Sequence, residues 1–371
     1  MNRMIDGYLL RNRLLRKALK VMDQTMGLFG LLRQRRPVPT DVKKILVIKP
    51  DHLGDVVLSF SILPALKKKY PQAQVHFLCG RWAKELAEGN PYIFQVHYLD
   101  HFMLNRQGGG GRFKKLGVFV CDLRSFYQTV RRERFDLALD LRAYFPNFLP
   151  FLFFADIRCK IGFNTAGFGF VLDRSIAWRE DVHETEHFLD VVKALDLEAE
   201  IKEIDLSYLV RGSKQPGKKI CVLHPGAGRR VKQWDLKNWQ ELAVHLSAQG
   251  WHVRVTGGGK DRALGESITC GLNAQNLCGK TTIPELAQAV YESDCVIGVD
   301  SFVAHLSAAL GVKTIALFNG IEKPGQWKPL GKDVRVLVKE VECSPCFLKA
   351  GCAEMNCMQH SLTNLIRELE A

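Results

Sequence analysis

The sequence predicts an α/β protein built as two open, parallel-sheet domains in tandem. Three observations point there. Short, wholly apolar runs alternate with helical stretches, which is the grammar of βαβ units. That grammar restarts after a polar segment near residue 213. The length of 371 residues also suits two domains of ordinary size. Hydrophobic residues at 47% and charged residues at 25% place the chain among globular proteins and exclude disordered or fibrous ones.

Residues 1–43 form a basic extension: residues 1–44 carry +8 of the net charge of +13. Ile5, Tyr8, Leu9, Leu15, Leu19, Met22 and Met26 recur at spacings of three and four or their sums. Arg11, Arg13, Arg16, Lys17 and Lys20 fall mostly on the other side, so a basic amphipathic helix is expected over 5–26. Such a helix suits an anionic membrane surface, or equally a seat on its own protein with a solvated charged face. Charge by itself does not choose between lipid, nucleic acid and a phosphorylated substrate. Pro37 and Pro39 then stop any helix and make a linker.

The N-terminal domain is expected over 44–212. Ile45–Ile48 is an apolar run of the kind that forms a strand covered on both faces. The loop Pro50–Asp55 leads into a helical stretch to Lys69, with Val57, Leu58, Ile62, Leu63 and Leu66 on one stripe. Val75–Leu78 and Leu137–Leu141 read as further strands, Trp82–Glu88 and His187–Leu195 as further helices. Phe145–Ala155 is the richest apolar stretch, but it is too short to span a membrane and holds Pro146, Asn147 and Pro150. The N-terminus lacks the apolar core and cleavage site of a secretory leader. Seven of the eleven cysteines stand singly in apolar stretches, which suggests reduced thiols and a cytoplasmic protein.

The C-terminal domain is expected over 213–371, after the hinge-like Ser213–Gly217. Ile220–Leu223 is again a buried strand, followed by the turn His224-Pro225-Gly226-Ala227-Gly228. Helices over Leu236–Gln249, Pro284–Glu292 and Ala304–Leu310 alternate with strands over His252–Thr256, Val296–Val299 and Thr314–Phe318. Two Rossmann-like domains of this kind place ligand crevices at the carboxyl ends of their strands, here expected to face one another.

Several motifs fail on inspection. Gly279-Lys280-Thr281 resembles the end of a phosphate-binding loop, but Ala274 stands where the first glycine belongs. No G-x-G-x-x-G occurs, against a dinucleotide dehydrogenase. His183-Glu184-Thr185-Glu186-His187 matches the H-E-x-x-H zinc pattern without an identifiable third ligand. No D-x-D triplet offers an acidic platform for a divalent ion. Cys343, Cys346, Cys352 and Cys357 cluster more densely than the rest. They could hold zinc or iron, form a redox-sensitive disulfide, or tighten an irregular loop as thiols. Nucleic-acid binding is disfavoured, because the charge sits in one arm without interleaved aromatic platforms.

Two loops remain, each at the end of a first strand. Gly54-Asp55 opens a helix, where a carboxylate is stabilised as an anion or serves as a plain cap. In the second domain Gly226 and Gly228 leave room beside the backbone, Lys232 follows, and Asp300-Ser301 opens a helix with His305 one turn in. A helix N-terminus with a lysine suits a diphosphate; a capping pair and a core histidine are the plainer reading.

These segments resemble the heptosyltransferases, the inverting glycosyltransferases of family nine. The resemblance rests on ILVIKPDHLGDVVL (Ile45–Leu58), VLHPGAGRRVKQW (Val222–Trp234), the stretch Leu277–Phe318, and the cysteine-rich Cys343–Met358. It implies the GT-B architecture, an ADP-sugar as donor substrate, and no required metal or cofactor. Asp55 falls on the family's general base and Lys232 on the lysine that meets the donor diphosphate. Thr281 falls where the base is contacted, while Asp300, Ser301 and His305 fall on the donor-sugar and phosphate loop. Asp261 stands in for a ribose-binding acid. The acceptor, an anionic glycolipid of the lipopolysaccharide inner core, is expected on the N-terminal domain. There Gly108–Gly111, Arg112, Lys114 and Lys115 could form a basic lip, or simply a surface loop. The implied place of work is the cytoplasmic surface of the inner membrane, reached through the N-terminal basic helix.

This chain departs from the pattern at three places. Phe302 stands where the family has glycine, Asp235 where it has proline, and Ala227 and Gly228 lack hydroxyls that some members use. These departures leave open another nucleotide-sugar and another surface glycan. A non-catalytic protein that binds nucleotide-sugars or anionic glycans is the alternative from a different class.

Overall fold

Six short strands in the first half of the chain, and six in the second, find one another as two parallel sheets. In a computed structural model, all residues are described except 1–3, 6, 11, 32–33, 106–110, 199, 201–203, 213–216, 218, 349 and 371, together with the side chains of 29–31 and 112. The chain divides into two compact units, Met1–Lys202 and Glu203–Ala371. The polar segment Ser213–Gly217 predicts that division at 212/213.

The first sheet comprises β1 (Lys44–Ile48), β2 (Gln74–Cys79), β3 (Gln95–Tyr98), β4 (Leu137–Asp140), β5 (Cys159–Phe163) and β6 (Arg174–Ile176). Its order is β3-β2-β1-β4-β5-β6, with every pair parallel. The second comprises β7 (Ile220–His224), β8 (His252–Val255), β9 (Ala274–Asn276), β10 (Cys295–Val299), β11 (Lys313–Phe318) and β12 (Val334–Val338). Its order, β12-β11-β10-β7-β8-β9, repeats the first topology, again with every pair parallel. Both are Rossmann orders, in which the direction of winding reverses beside the first strand. The central strands are apolar throughout because helices cover both their faces: Ile45, Val47 and Ile48 are inaccessible, as are Val222, Leu223, Val296 and Ile297.

The N-terminal extension folds into the first unit. The spacing of apolar residues predicts a helix over 5–26, but the helix is Arg13–Leu31. Gly7, at φ +82°, closes a small bridge between Ile5 and Tyr8. Asn12 then begins the helix, its side-chain carbonyl accepting from Leu15 N at 3.0 Å. Tyr8, Leu9 and Leu19 are buried, and Asp23 accepts from Tyr8 Oη at 2.8 Å and from Phe168 N at 2.7 Å. The predicted apolar face is therefore largely covered by the protein itself.

A 22-residue helix, Arg112–Glu133, lies outside the elements expected from sequence. It packs on the first sheet through Phe119, Phe126 and Val130. Phe145–Ala155 contributes a five-residue helix, Leu149–Phe153. No helix among the described residues is long and apolar enough to cross a membrane.

Candidate active site

In the first unit the strand order reverses between β1 and β4, so their carboxyl ends open the crevice where α/β sheets bind ligands. Asp55 stands there in the first turn of the Leu53–Ser59 helix, half-buried. His52, not Asp55, takes the capping position, so the carboxylate lies inside the turn, where the helix dipole favours an anion.

The loop that carries Asp55 is held by buried charge. Lys49 is wholly inaccessible; its Nζ lies 3.1 Å from Asp51 Oδ2 and 4.0 Å from Glu184 Oε1, and donates to Leu141 O at 3.3 Å. Arg142, beyond β4, pairs with the other oxygen of Asp51, so Asp51 ties the two sides of the crevice together. Burial pulls the Lys49 ammonium below its usual range, and the charges of Asp55 and Glu184 oppose that pull. Burial likewise draws Arg142 down to about 10, against Tyr144 and Glu184. Asp140, at the end of β4, is pushed up to about 7 by burial, opposed by the Arg142 backbone N–H and by Lys49.

Glu184 opens the Glu184–Lys193 helix and accepts from Tyr144 Oη at 3.1 Å. His187 Nδ1 lies 3.3 Å from the same carboxylate and its Nε2 2.9 Å from Arg179 O, while its ring stacks on Trp178 at 3.6 Å. His183 instead caps the helix, accepting from Thr185 N at 3.3 Å. The H-E-x-x-H pattern thus resolves into a cap, a buried acid and a core histidine.

The buried ion-paired group of Lys49, Asp51, Arg142 and Glu184 has no counterpart among the site residues expected from sequence. The available signal was a lysine directly after a fully apolar strand and an Asp-Leu-Arg at the end of another. An ion in either place must be paired to be buried.

The second unit repeats the design at the reversal between β7 and β10. Lys232, in the short turn Arg230–Lys232 after β7, forms an ion pair with Asp300, directly after β10. Burial alone would lower the Lys232 ammonium, but Asp300 and Glu322 beside it raise it above the usual value, so it is a fixed cation at neutral pH. Ser301 occupies the N-terminus of the Phe302–Ala309 helix, yet its hydroxyl makes no capping bond, and Oγ is buried without a hydrogen-bond partner among the described residues. His305 is buried one turn along. Lysine, hydroxyl and helix N-terminus together make an anion site suited to a diphosphate.

The glycine turns brace this site. A Cβ on Gly226 would stand 2.5 Å from Asp261 Oδ2, so glycine is required there by the acid packed against it. Asp261 is buried and accepts from Gly258 N at 2.9 Å, while Lys260 Nζ donates to Ala227 O at 2.8 Å. Asp261 therefore joins the turns after β7 and β8. Gly228 is exposed in the first of them. His224, at the end of β7, meets Thr256 Oγ1 at 2.9 Å and is drawn down to about 4 by burial, which keeps it neutral. Thr281 is half-buried and precedes Thr282, whose hydroxyl caps the Ile283–Tyr291 helix.

The expected basic lip is differently built. Residues 106–110 and the side chain of Arg112 lie outside the described residues, and Lys114 and Lys115 are helical rather than in a loop. Lys115 Nζ donates to Asn105 O at 2.9 Å. The four C-terminal cysteines carry free thiols: Cys357 is buried in the core, Cys346 half-buried, Cys343 and Cys352 exposed. Among the described residues no three side chains of ligand type converge as a metal site.

The sequence of residues 123–357 matches glycosyltransferase family 9 (heptosyltransferase). Lipopolysaccharide heptosyltransferase 2 of Escherichia coli K12 is 26% identical over 323 residues, covering 79% of this chain and 87% of that protein. The solved structure of E. coli ADP-heptose lps heptosyltransferase II superposes with a TM-score of 0.70 at 21% identity, covering 88% of this chain and 97% of that one. E. coli heptosyltransferase WaaC with ADP gives a TM-score of 0.70 at 16% identity, covering 88% and 99%. The fold is that of these GT-B enzymes.

Proposed function

The chain belongs to glycosyltransferase family 9, the heptosyltransferases, and from that premise we propose that it moves a heptose from an ADP-sugar to the inner core of a lipopolysaccharide, with inversion at the anomeric carbon. Asp55 takes the proton from the acceptor hydroxyl as that oxygen attacks from the face opposite the leaving nucleotide. Lys232 and the amides of the Phe302–Ala309 helix meet the charge growing on the departing diphosphate. Thr281 and Asp261 belong to the nucleotide side of the site, and His305 to the sugar and phosphate side. The basic face of the first unit receives the acceptor's phosphates and carboxylates, with Lys114 and Lys115 as contacts. The work takes place at the cytoplasmic surface of the inner membrane, with the basic Arg13–Leu31 helix against the lipid.

The observation that carries this reading is the Lys232–Asp300 pair beside the unsatisfied Ser301 hydroxyl at a helix N-terminus, in the crevice where Rossmann sheets bind nucleotides. Phe302, where the family has glycine, favours a second reading in which the same site takes a different nucleotide-sugar.

The test is transfer from ADP-heptose, alongside UDP-, GDP- and other ADP-sugars, to lipopolysaccharide truncated before its outer heptose. The expected product is the acceptor heavier by one heptose and inverted at the new linkage. Transfer only from another donor selects the second reading. Nucleotide-sugar binding without transfer or donor hydrolysis makes the protein a binder and overturns the proposal.

A further inference from the structure

The Arg112–Glu133 helix has two apolar faces, and the fold uses one. Phe119, Asp122, Phe126 and Val130 are buried against the sheet. Facing away, Phe113, Leu116 and Val120 recur at i, i+3 and i+7, with exposures of 91%, 44% and 57%. Phe153 and Phe154, at the end of the Leu149–Phe153 helix, are also exposed. Phe154 and Val120, with Leu123 and Tyr127, line a groove of about 590 Å³ that Arg124 and Arg131 also border.

The charge on this helix is one-sided. It carries six Lys/Arg and two acids, and both acids are already paired. Asp122 is buried and accepts from two Arg81 guanidinium nitrogens at 2.5 and 2.6 Å; Glu133 pairs with Lys44 and with Arg132 of this helix, each at 2.8 Å. Lys114, Arg124 and Arg131 have no acidic partner among the described residues.

We propose that this face, the outer stripe of the Arg112–Glu133 helix together with Phe153 and Phe154, rests on an anionic lipid bilayer. Aromatic and aliphatic side chains flanked by unpaired cations are what a headgroup–acyl boundary of negative charge attracts. A protein partner would need acids to match the cations and would leave fewer of them at its centre. The surface also continues beyond this helix. Both the Leu149–Phe153 helix and the Arg13–Leu31 helix pack on the turn Gly169–Val171, with Phe153 ring-to-ring with Phe170 at 5.8 Å and Phe168 N on Asp23. On the Arg13–Leu31 helix, Leu14, Val21 and Leu28 are exposed at seven-residue spacing beside Arg13, Lys17 and Lys20. The contact is peripheral, and it does not depend on which sugar is transferred.

The experiment is flotation of the full chain with vesicles of phosphatidylglycerol and phosphatidylcholine, and with phosphatidylcholine alone. The wild type is expected to float with the anionic vesicles only and to be released by high salt. Phe113→Ser/Val120→Ser/Phe154→Ser, all at exposed positions, should reduce partitioning by about tenfold or more. Arg124→Glu/Arg131→Glu should do the same without loss of apolar surface, which keeps the test decisive if the triple variant folds poorly. Undiminished flotation of both variants overturns the proposal. So does equal binding to neutral vesicles, or a wild-type dimer that the triple variant converts to monomer.

Discussion

Replacing Lys49 by methionine keeps much of its length and removes a charge that four carboxylates, Asp51, Asp55, Asp140 and Glu184, share. At an effective dielectric of 20, one charge 3.1 Å from Asp51 and 4.0 Å from Glu184 interacts with each by about 4–5 kcal/mol before desolvation is subtracted. Deleting one partner of a buried pair leaves the other uncompensated and costs about 3–5 kcal/mol net. For a unit of this size that is a fall of roughly 6–20 °C in the melting transition of the first unit. A kinetic consequence follows from the same electrostatics. Lys49 and Asp55 feel one another's charge, and a carboxylate that loses a neighbouring cation gives up its proton less readily. Lys49→Met should therefore move the acid limb of the kcat/KM profile to higher pH, while Lys49→Arg should largely preserve it. Scanning calorimetry and initial rates from pH 5 to 9 measure both effects. A variant that melts within about 2 °C of wild type, with an unmoved acid limb, would refute the reasoning.

In the second unit, Gly226→Ala should drive Asp261 from its bond to Gly258 N, at a cost of about 1–3 kcal/mol, and weaken nucleotide binding by calorimetry. An unchanged melting temperature and affinity would contradict the bracing role. Thr282→Ala removes the acceptor of the Glu285 N–H at the start of the Ile283–Tyr291 helix and should cost about 1 kcal/mol in urea unfolding, with donor affinity little changed. His76, His101 and His224 are each drawn down to about 4 by burial, so between about pH 6.5 and 4 the unfolded chain binds more protons than the native one. Stability should fall across that window as pH drops, by up to about 1.4 kcal/mol per pH unit for each histidine; flat melting temperatures there would count against it.

The parallel-sheet grammar was legible because each central strand is a short apolar run, as in Ile45–Ile48 and Val296–Val299, and each is buried on both sides. The edges were less legible. β3 reads Gln-Val-His-Tyr and β9 Ala-Gln-Asn, half-solvated segments with no apolar run to betray them. The Arg112–Glu133 helix was missed for a related reason: its two apolar faces blur the single stripe by which an amphipathic helix is recognised. Asp55 and Lys232 stand out in the sequence as candidates because they lie in loops after first strands, and Asp300 because it opens a helix after a later strand, whereas nothing local marks Lys49 and Glu184 as partners. Their significance depends on a meeting between residues 135 positions apart, which no local pattern records.

The most direct test of the account is Asp55→Asn, which keeps the side chain's shape and removes its basicity. Donor affinity by calorimetry should stay within about twofold of wild type while transfer to truncated lipopolysaccharide falls by about 10²–10⁴. Transfer within tenfold of wild type would contradict the assignment of Asp55 as the base.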